Sequence, residues 1–320
     1  MTAAMIRPVL IATGAGIASA VLYLSANIGS ILSALLLWSA ALPIFVLGMS
    51  FGAASVLIAS LAGFLVMSAA MGFKAGLVYV FLLGLPAGWL VRLALLSRTP
   101  SSAQGSTKAP IQSPMEWYPP GHLLAWIAVF SAGFVLAFDL LYWSQGGLRT
   151  LFSQLFAPIL EHEGLRQDLT KRHINPENFL DLMVNVAPAA IGVMWLGILA
   201  TNLQLGQVLA NRAGLGLRPN ARFHDLELPP QLLIALAGAL ILSFLPGQGG
   251  FLAASISAVL AFPYFLLGLS VVHAISRAWP GRLWLLALIY FFVIYLLVPF
   301  FILWGIGLLE PWIGLRKRFS

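Results

Sequence analysis

The sequence predicts an all-α fold: a polytopic transmembrane bundle of about nine helices, within a range of roughly 8–10. Composition is the first reason, because 60% of the 320 residues are hydrophobic and 8% are charged, whereas soluble globular proteins carry about 25% charged residues. Length is the second, since apolar runs of roughly 18 to 28 residues can cross ~30 Å of hydrocarbon. The third is that these runs are continuously apolar, unlike the alternating strands of a membrane β-barrel.

Residues 1–97 are predicted to be an N-terminal unit of four transmembrane helices. Almost unbroken apolar sequence covers 9–97, and turns divide it near Asn27–Gly29, Ser50–Gly52 and Gly72–Lys74. The opening MTAAMIRPVL has one arginine and no clear cleavage site. We therefore expect a retained first helix rather than a signal peptide.

A flexible cytoplasmic linker is expected over 98–121, which is rich in Ser, Pro, Gly and Gln and so cannot bury a core. The C-terminal transmembrane unit, 122–320, follows it. The first helix of this unit covers about 122–144 and leads to a polar outer interlude at 145–174.

Within the interlude, a short interfacial amphipathic helix is expected near 148–161. Apolar residues recur there at spacings of three and four, which gives one apolar stripe. Such a helix between two crossings is typical of the membrane interface. Asn175–Pro176–Glu177 then supplies an N-cap, a first-turn proline and a favourable acid, so the sixth helix is expected to run from there to about 205.

A cytoplasmic loop at 206–229 precedes three further apolar runs, at about 230–246, 250–276 and 283–309. Pro299 interrupts the last run, which with the residues after it is too long for one upright span. We expect either a tilted, projecting helix or a break at Pro299 that makes a short hairpin.

The distribution of lysine and arginine indicates a cytoplasmic N-terminus. With this orientation nine cations face the cytoplasm and five face outward, before the basic tail is counted, and cytoplasmic loops carry the excess of cations. The tail lies outside after nine crossings, or returns to the cytoplasm through the hairpin. The cytoplasmic cations are Arg7, Arg92, Arg98, Lys108, Arg212, Arg218, Arg222, Arg277 and Arg282; the outer ones are Lys74, Arg149, Arg166, Lys171 and Arg172; the tail carries Arg316, Lys317 and Arg318.

Composition also limits the possible functions. A net charge of +7 would suggest nucleic-acid binding in a soluble domain, but here we expect the basic loops to contact the lipid bilayer. The chain has no cysteine, which excludes disulfides, thiolate metal ligands and cysteine nucleophiles. There is no phosphate-binding glycine loop, and His162 and His173 are not at metal-ligand spacing. We therefore expect no enzyme activity, no catalytic residue, no cofactor and no metal.

One histidine follows a fully apolar stretch, in FLLGLSVVHAISRAWPGR at 265–282. His273 lies four residues before Arg277, at the expected cytoplasmic exit of a helix. Both side chains can satisfy free carbonyls and complement the helix dipole there. We therefore interpret His273 as a polar helix cap, with a proton-relay role as the alternative.

Four polar residues on the expected outer side are candidates for a solute site, because a polar group at membrane depth needs a partner or water. They are Lys74, Asp139, Asp181 and Asn185. Asp181 and Asn185 are four residues apart and share a helix face. Asp139 has an alternative interpretation, as an interfacial residue beside Tyr142.

Small residues at four-residue spacing mark one face of the first helix: Ala12, Gly16 and Ala20. Such spacing lets two helices approach closely. The face therefore serves either internal packing or docking onto a partner membrane protein.

Five stretches, in order, resemble the YybS-like family of bacterial inner-membrane proteins of unknown function: LPIFVLGMSFGAASVL, LGLPAGWLVRLAL, RFHDLELP, GLSVVHAISRAW and GLLEPWIGLRKR. That family is in turn similar to the substrate-binding components of energy-coupling-factor vitamin transporters. Those six-helix proteins capture a small molecule from outside and depend on separate ATPase and coupling subunits. The resemblance implies that Ala12, Gly16 and Ala20 contact a coupling subunit. This chain differs by its additional helices after residue 122.

Two functional hypotheses follow. The first is a transport-related membrane protein that binds a small solute near its outer face and takes its energy from a partner. The second is a non-transporting scaffold or regulator that recruits proteins through its cytoplasmic loops, 98–121 and 206–229. The resemblance favours the first by analogy of fold.

Overall fold

The computed structural model describes residues 3–99, 115–161, 163–221 and 226–319. The described residues are 84% helical with almost no strand, which confirms the predicted all-α class. The helices are α1 (Ala3–Leu24), α2 (Ile31–Trp38), α3 (Leu42–Phe51), α4 (Ala53–Met71), α5 (Phe73–Tyr79), α6 (Leu85–Ala94), α7 (Pro120–Leu141), α8 (Gly147–Leu160), α9 (Glu163–Lys171), α10 (Pro176–Arg212), α11 (Pro230–Leu242), α12 (Gln248–Ile275), α13 (Arg282–Tyr295), α14 (Leu297–Ile313) and α15 (Leu315–Phe319). Two short strands, β1 (Ser97–Arg98) and β2 (Glu116–Trp117), pair antiparallel.

Seven helical segments of the described residues are long and apolar enough to cross a membrane, and the bent pair of α13 and α14 makes an eighth if it counts as one span. The helix expected over 230–246 is shorter than predicted. It is α11, with 13 residues, or roughly 20 Å of helix, which is less than the ~30 Å of a hydrocarbon core. Apolar sequence continues to Leu245, but the helix ends at Leu242, ahead of Pro246.

The last apolar run is broken rather than straight. Leu296 has extended dihedral angles (φ −128°, ψ 138°), and the axes of α13 and α14 differ in direction by 112°. Pro299 is the third residue of α14, where its missing N–H costs no intrahelical hydrogen bond. The break at Leu296 therefore comes three residues before Pro299, where the sequence predicted it.

The interlude contains the expected amphipathic helix, since α8 spans Gly147–Leu160. One side is buried, through Leu148, Phe152 and Leu160, while Leu155 and Ile159 are more than half exposed. A second helix, α9, follows it and was not predicted, because the polar residues of this segment mask any apolar stripe.

The chain folds as two compact units. Unit 1 comprises Met1–Ile127 and Gly197–Leu226, and unit 2 comprises Ala128–Leu196 and Glu227–Ser320. Two of the three boundaries fall inside helices, α7 and α10, and the third falls just before α11. The sequence predicted a different division, into two transmembrane units (1–97 and 122–320) joined by a cytoplasmic linker (98–121). That division stays a prediction.

In unit 1, α1 and α4 pack with their backbones in contact. Gly16 is buried, and a Cβ atom there would overlap the carbonyl oxygen of Ala59. Ala12 and Ala20, one turn away on either side, have no exposed surface. The small-residue face of the first helix is therefore used inside the chain, as internal packing.

A hydrogen-bonded chain crosses the apolar core of unit 1. The Tyr79 hydroxyl donates to Ser19 Oγ (2.8 Å), which donates to the carbonyl of Ala40 (2.6 Å). Both side chains are fully buried. The two hydrogen bonds therefore satisfy hydroxyl groups that neither lipid nor water could reach. Gly63 makes room for the Tyr79 ring, which a Cβ atom would overlap.

Arg218 joins two segments of unit 1 that the sequence predicts on the cytoplasmic side. Its guanidinium, 5% exposed, donates to the carbonyls of Ala94 (3.0 Å) and Tyr118 (2.8 Å). Burial lowers the pKa of Arg218, but a guanidinium remains charged at neutral pH. Arg98 and Glu116 form an ion pair (2.7 Å) across the two strands. The described edges of the predicted linker are thus held together, while 100–114 lies outside the described residues.

In unit 2, α12 and α14 cross at two glycines. A Cβ atom on Gly268 would overlap the carbonyl oxygen of Leu303, and one on Gly307 would overlap that of Tyr264. A cluster of Phe265, Leu269 and Leu303 fills the contact beside them. This packing fixes the end of α14, which carries the site described below.

Candidate solute site

The four residues predicted for an outer solute site occupy different environments. Lys74 belongs to unit 1 and is exposed; Asp181 and Asn185 belong to unit 2 and are exposed on α10. Within the described part of the chain, these three side chains have no hydrogen-bond or ion-pair partner. The hydrogen bonds of Asp139 involve neither Asp181 nor Asn185, so the outer site remains a prediction.

Asp139 is fully buried and its carboxylate is already bonded. Oδ1 accepts the backbone N–H of Leu148 (2.9 Å), and the Gln248 side-chain amide lies 3.2 and 3.3 Å from the two carboxylate oxygens. Leu148 is in the first turn of α8, so the carboxylate caps that helix and complements its dipole. Asp139 thus orders the interlude from inside unit 2, which neither alternative foresaw.

The small-residue face is also enclosed. Gly16 packs against α4, and Ala12 and Ala20 are fully buried beside it in unit 1. A partner that docks on this face would first have to displace α4.

His273 lies in the last turn of α12. Its Nδ1 lies 2.9 Å from the carbonyl oxygen of Leu269, one turn earlier on α12, and its Nε2 lies 3.4 Å from the Tyr290 hydroxyl. Its place in the last turn agrees with the polar-cap interpretation, but the Leu269 carbonyl is not one of the free carbonyls at the helix end. Among the described residues, no three side chains of the metal-binding types cluster; His162 lies outside those residues.

A cavity of about 240 Å³ in unit 2 was not predicted. Three segments line it: the residues before α11, the second half of α12, and the chain from the end of α14 into α15. Leu267 is eight residues before the end of α12, or roughly 12 Å of helix rise. The cavity therefore opens beside an apolar segment. Its lining residues are Glu227, Leu228, Leu267, Glu310, Pro311, Gly314 and Arg316.

One wall of the cavity is a turn built around Glu310. Gly314 ends α14 with a left-handed backbone (φ 63°, ψ 42°), a conformation that glycine adopts without strain. The chain then folds back, so that Glu310 accepts hydrogen bonds from the backbone N–H of Leu315 (2.9 Å) and of Arg316 (3.2 Å). The Arg316 Nε adds a charged bond at 3.0 Å.

The Glu310–Arg316 ion pair is nearly removed from solvent. Glu310 is 4% exposed and the Arg316 side chain 14%. A buried carboxylate is stable only with such partners, so loss of Arg316 would leave the Glu310 carboxylate without its charged partner. The sequence signal for the pair was a single acid in a long apolar run, six residues before an arginine. That signal does not reveal that the chain reverses at Gly314.

Glu227 contributes a second carboxylate to the cavity. It is exposed and, within the described ranges, has no hydrogen-bond or ion-pair partner. The lining thus combines one free carboxylate, one neutralised ion pair and the apolar side chains of Leu228, Leu267 and Pro311.

A larger depression of about 510 Å³ lies on the interlude and is lined by Glu161, Arg166, Gln167, Thr170 and Lys171. It is shallow, and these charged side chains lie on an exposed surface. Arg166 is also paired with Glu177 at 3.2 Å. The smaller cavity, with its buried pair and apolar wall, is the better candidate for binding a molecule.

The fold and its apolar spans define the class: this is an integral membrane protein of the all-α, multi-span type. Within that class, the chain belongs to the family described as "Predicted membrane protein (DUF2232)", which matches residues 17–309. Among curated proteins and among solved structures, none matches the chain.

Proposed function

We propose that this chain is a transport-related protein of the bacterial inner membrane, which binds a small solute and relies on a partner for energy. The single observation that carries the proposal is the charged cavity of unit 2. Its described lining combines apolar side chains with a few convergent polar groups, which is the composition of a small-molecule site. The resemblance to the YybS-like family and to energy-coupling-factor substrate-binding components supports the same class.

The size of the cavity limits the solute. Sites for drug-sized ligands have volumes of about 300–1,000 Å³, and this cavity has about 240 Å³. The solute is therefore a small molecule with a short apolar part, facing Leu228 and Leu267, and a polar group directed at the carboxylates. Glu227 lies at the end of the loop that the charge distribution places in the cytoplasm, so the solute enters or leaves the cavity on that side.

Thermal unfolding of the purified protein in detergent tests the proposal. We expect at least one small solute to raise the Tm in a saturable manner. Leu228→Trp fills the cavity and should abolish that rise. Ile234→Trp is the matched control, because Ile234 is 72% exposed on the neighbouring helix, and it should retain the rise. Failure of every small solute to raise the Tm, or an unchanged rise in Leu228→Trp, would contradict a solute function at this site.

The scaffold function has one observation in its favour. Arg218 bonds the loop at 206–229 to Tyr118, so the described parts of both predicted recruitment loops form one surface. A scaffold should crosslink to a second protein from residues 213–217 in intact membranes, and no small solute should raise its Tm. That pair of results would replace the solute function.

A further inference from the structure

We propose that the cavity of unit 2 binds a small organic cation, a primary or secondary amine, with Glu227 as its counter-ion. The inference rests on the proposed solute function and specifies the class of solute. It follows from the charges, the walls and the volume of the cavity, taken in turn.

The charges of the described lining residues do not cancel. Glu310 is compensated by Arg316 and by two backbone N–H groups, whereas Glu227 has no hydrogen-bond or ion-pair partner among the described residues. Among the described lining residues, two carboxylates and one guanidinium leave one negative charge. An anion would be repelled by Glu227, and a neutral solute would leave it unpaired, whereas a cation supplies the missing charge.

The walls favour an amine over other cations. Quaternary ammonium groups are recognised by aromatic faces, and no aromatic side chain is among the described lining residues. Calcium takes six to eight oxygen ligands and magnesium requires octahedral geometry, but the described lining residues supply one free carboxylate. An N–H donor can form a charge-assisted hydrogen bond with Glu227, while a short alkyl chain packs on Leu228 and Leu267.

The volume sets the length of the alkyl chain. A cavity of about 240 Å³ admits a body of a few carbon atoms but not a second large ring. n-Butylamine is therefore a suitable probe, and butyrate and n-butanol have the same alkyl body with the opposite charge or none.

The experiment measures the Tm and the apparent Kd of the full-length protein in detergent with these three probes, tetramethylammonium and Mg²⁺. We expect n-butylamine alone to raise the Tm. Glu227→Gln should weaken n-butylamine binding at least tenfold, and Glu227→Asp, which keeps the charge, should retain part of the affinity. Glu161→Gln is the matched control, because it removes an exposed carboxylate outside the cavity, and it should bind like the unchanged protein.

The outcomes separate the two proposals. A Tm rise with butyrate or n-butanol at least equal to that with n-butylamine overturns the cation class but leaves solute binding intact. A rise with tetramethylammonium or Mg²⁺ alone overturns the amine. An equal affinity in Glu227→Gln overturns Glu227 as counter-ion. If no probe and no other small solute raises the Tm, the proposed function fails with the inference. The Tm of each variant without solute shows whether a lost response reflects misfolding, in which case the affinity of Glu227→Asp decides.

Discussion

Replacing Gly16 with alanine distinguishes the two roles considered for the small-residue face of α1. A Cβ atom at this position would overlap the carbonyl oxygen of Ala59 and lie 2.8 Å from its carbonyl carbon and 2.9 Å from its Cα atom. All three atoms are backbone, so no side chain can rotate away, and α1 must move from α4. Overpacking of this kind costs about 1–3 kcal/mol.

Gly14→Ala is the matched control. Gly14 is two residues earlier on the same helix, is exposed, and has open space where its Cβ atom would be. Both variants gain the same helix propensity, about 1 kcal/mol for alanine over glycine, so their difference reports the overlap alone. At about 2–4 °C per kcal/mol, we expect Gly16→Ala to melt roughly 2–12 °C below Gly14→Ala.

Thermal unfolding in detergent at one scan rate measures this difference, by near-UV circular dichroism or by tryptophan fluorescence. If the face served a partner instead, Gly16→Ala would melt with Gly14→Ala and would lose only its association with that partner. Equal Tm values would therefore refute the packing role assigned to Gly16.

Three further results are expected. Gly307→Ala should lower the Tm by several degrees, through about 1–3 kcal/mol of overlap with the backbone of α12, while Gly305→Ala, with nothing within 4 Å of the new atom, should not. Asp139→Ala should destabilise by about 1–3 kcal/mol because it leaves the buried N–H groups of α8 and Gln248 unpaired, and Asp139→Asn, which keeps an acceptor, should cost less in the same melts. Arg318→Cys adds the only thiol to a chain without cysteine, and an impermeant maleimide should label it only after spheroplasts are lysed.

Local sequence signals predicted the helical elements well. The N-cap predicted at Asn175 is present, since its side chain accepts the N–H of Asn178 (3.1 Å) and α10 begins at Pro176. The expected interfacial helix agrees with α8 to one residue at each end. Both predictions rest on residues within a few positions of each other, where capping and periodicity act.

The candidate site could not be predicted in the same way. Glu227, Leu267 and Glu310 are separated by some forty residues at each step and meet only through the packing of α11, α12 and α14. A hydropathy pattern does not predict such long-range contacts. Asp139 shows the same limit, because its polarity in an apolar run suggested a ligand contact, whereas its partners, Leu148 and Gln248, lie 9 and 109 residues away.

The cavity also bears on the side of the membrane that the C-terminus occupies. Glu227 and the turn at Gly314 line the same cavity of unit 2. The basic tail therefore begins close to the segment before α11. The charge distribution predicts that this segment is cytoplasmic, and the break at Leu296 gives the chain a means of return that a straight helix lacks. A cytoplasmic tail would add Arg316, Lys317 and Arg318 to the nine cations already assigned there, against five outside. The packing of unit 2 and the positive-inside rule therefore favour the hairpin over the tilted helix.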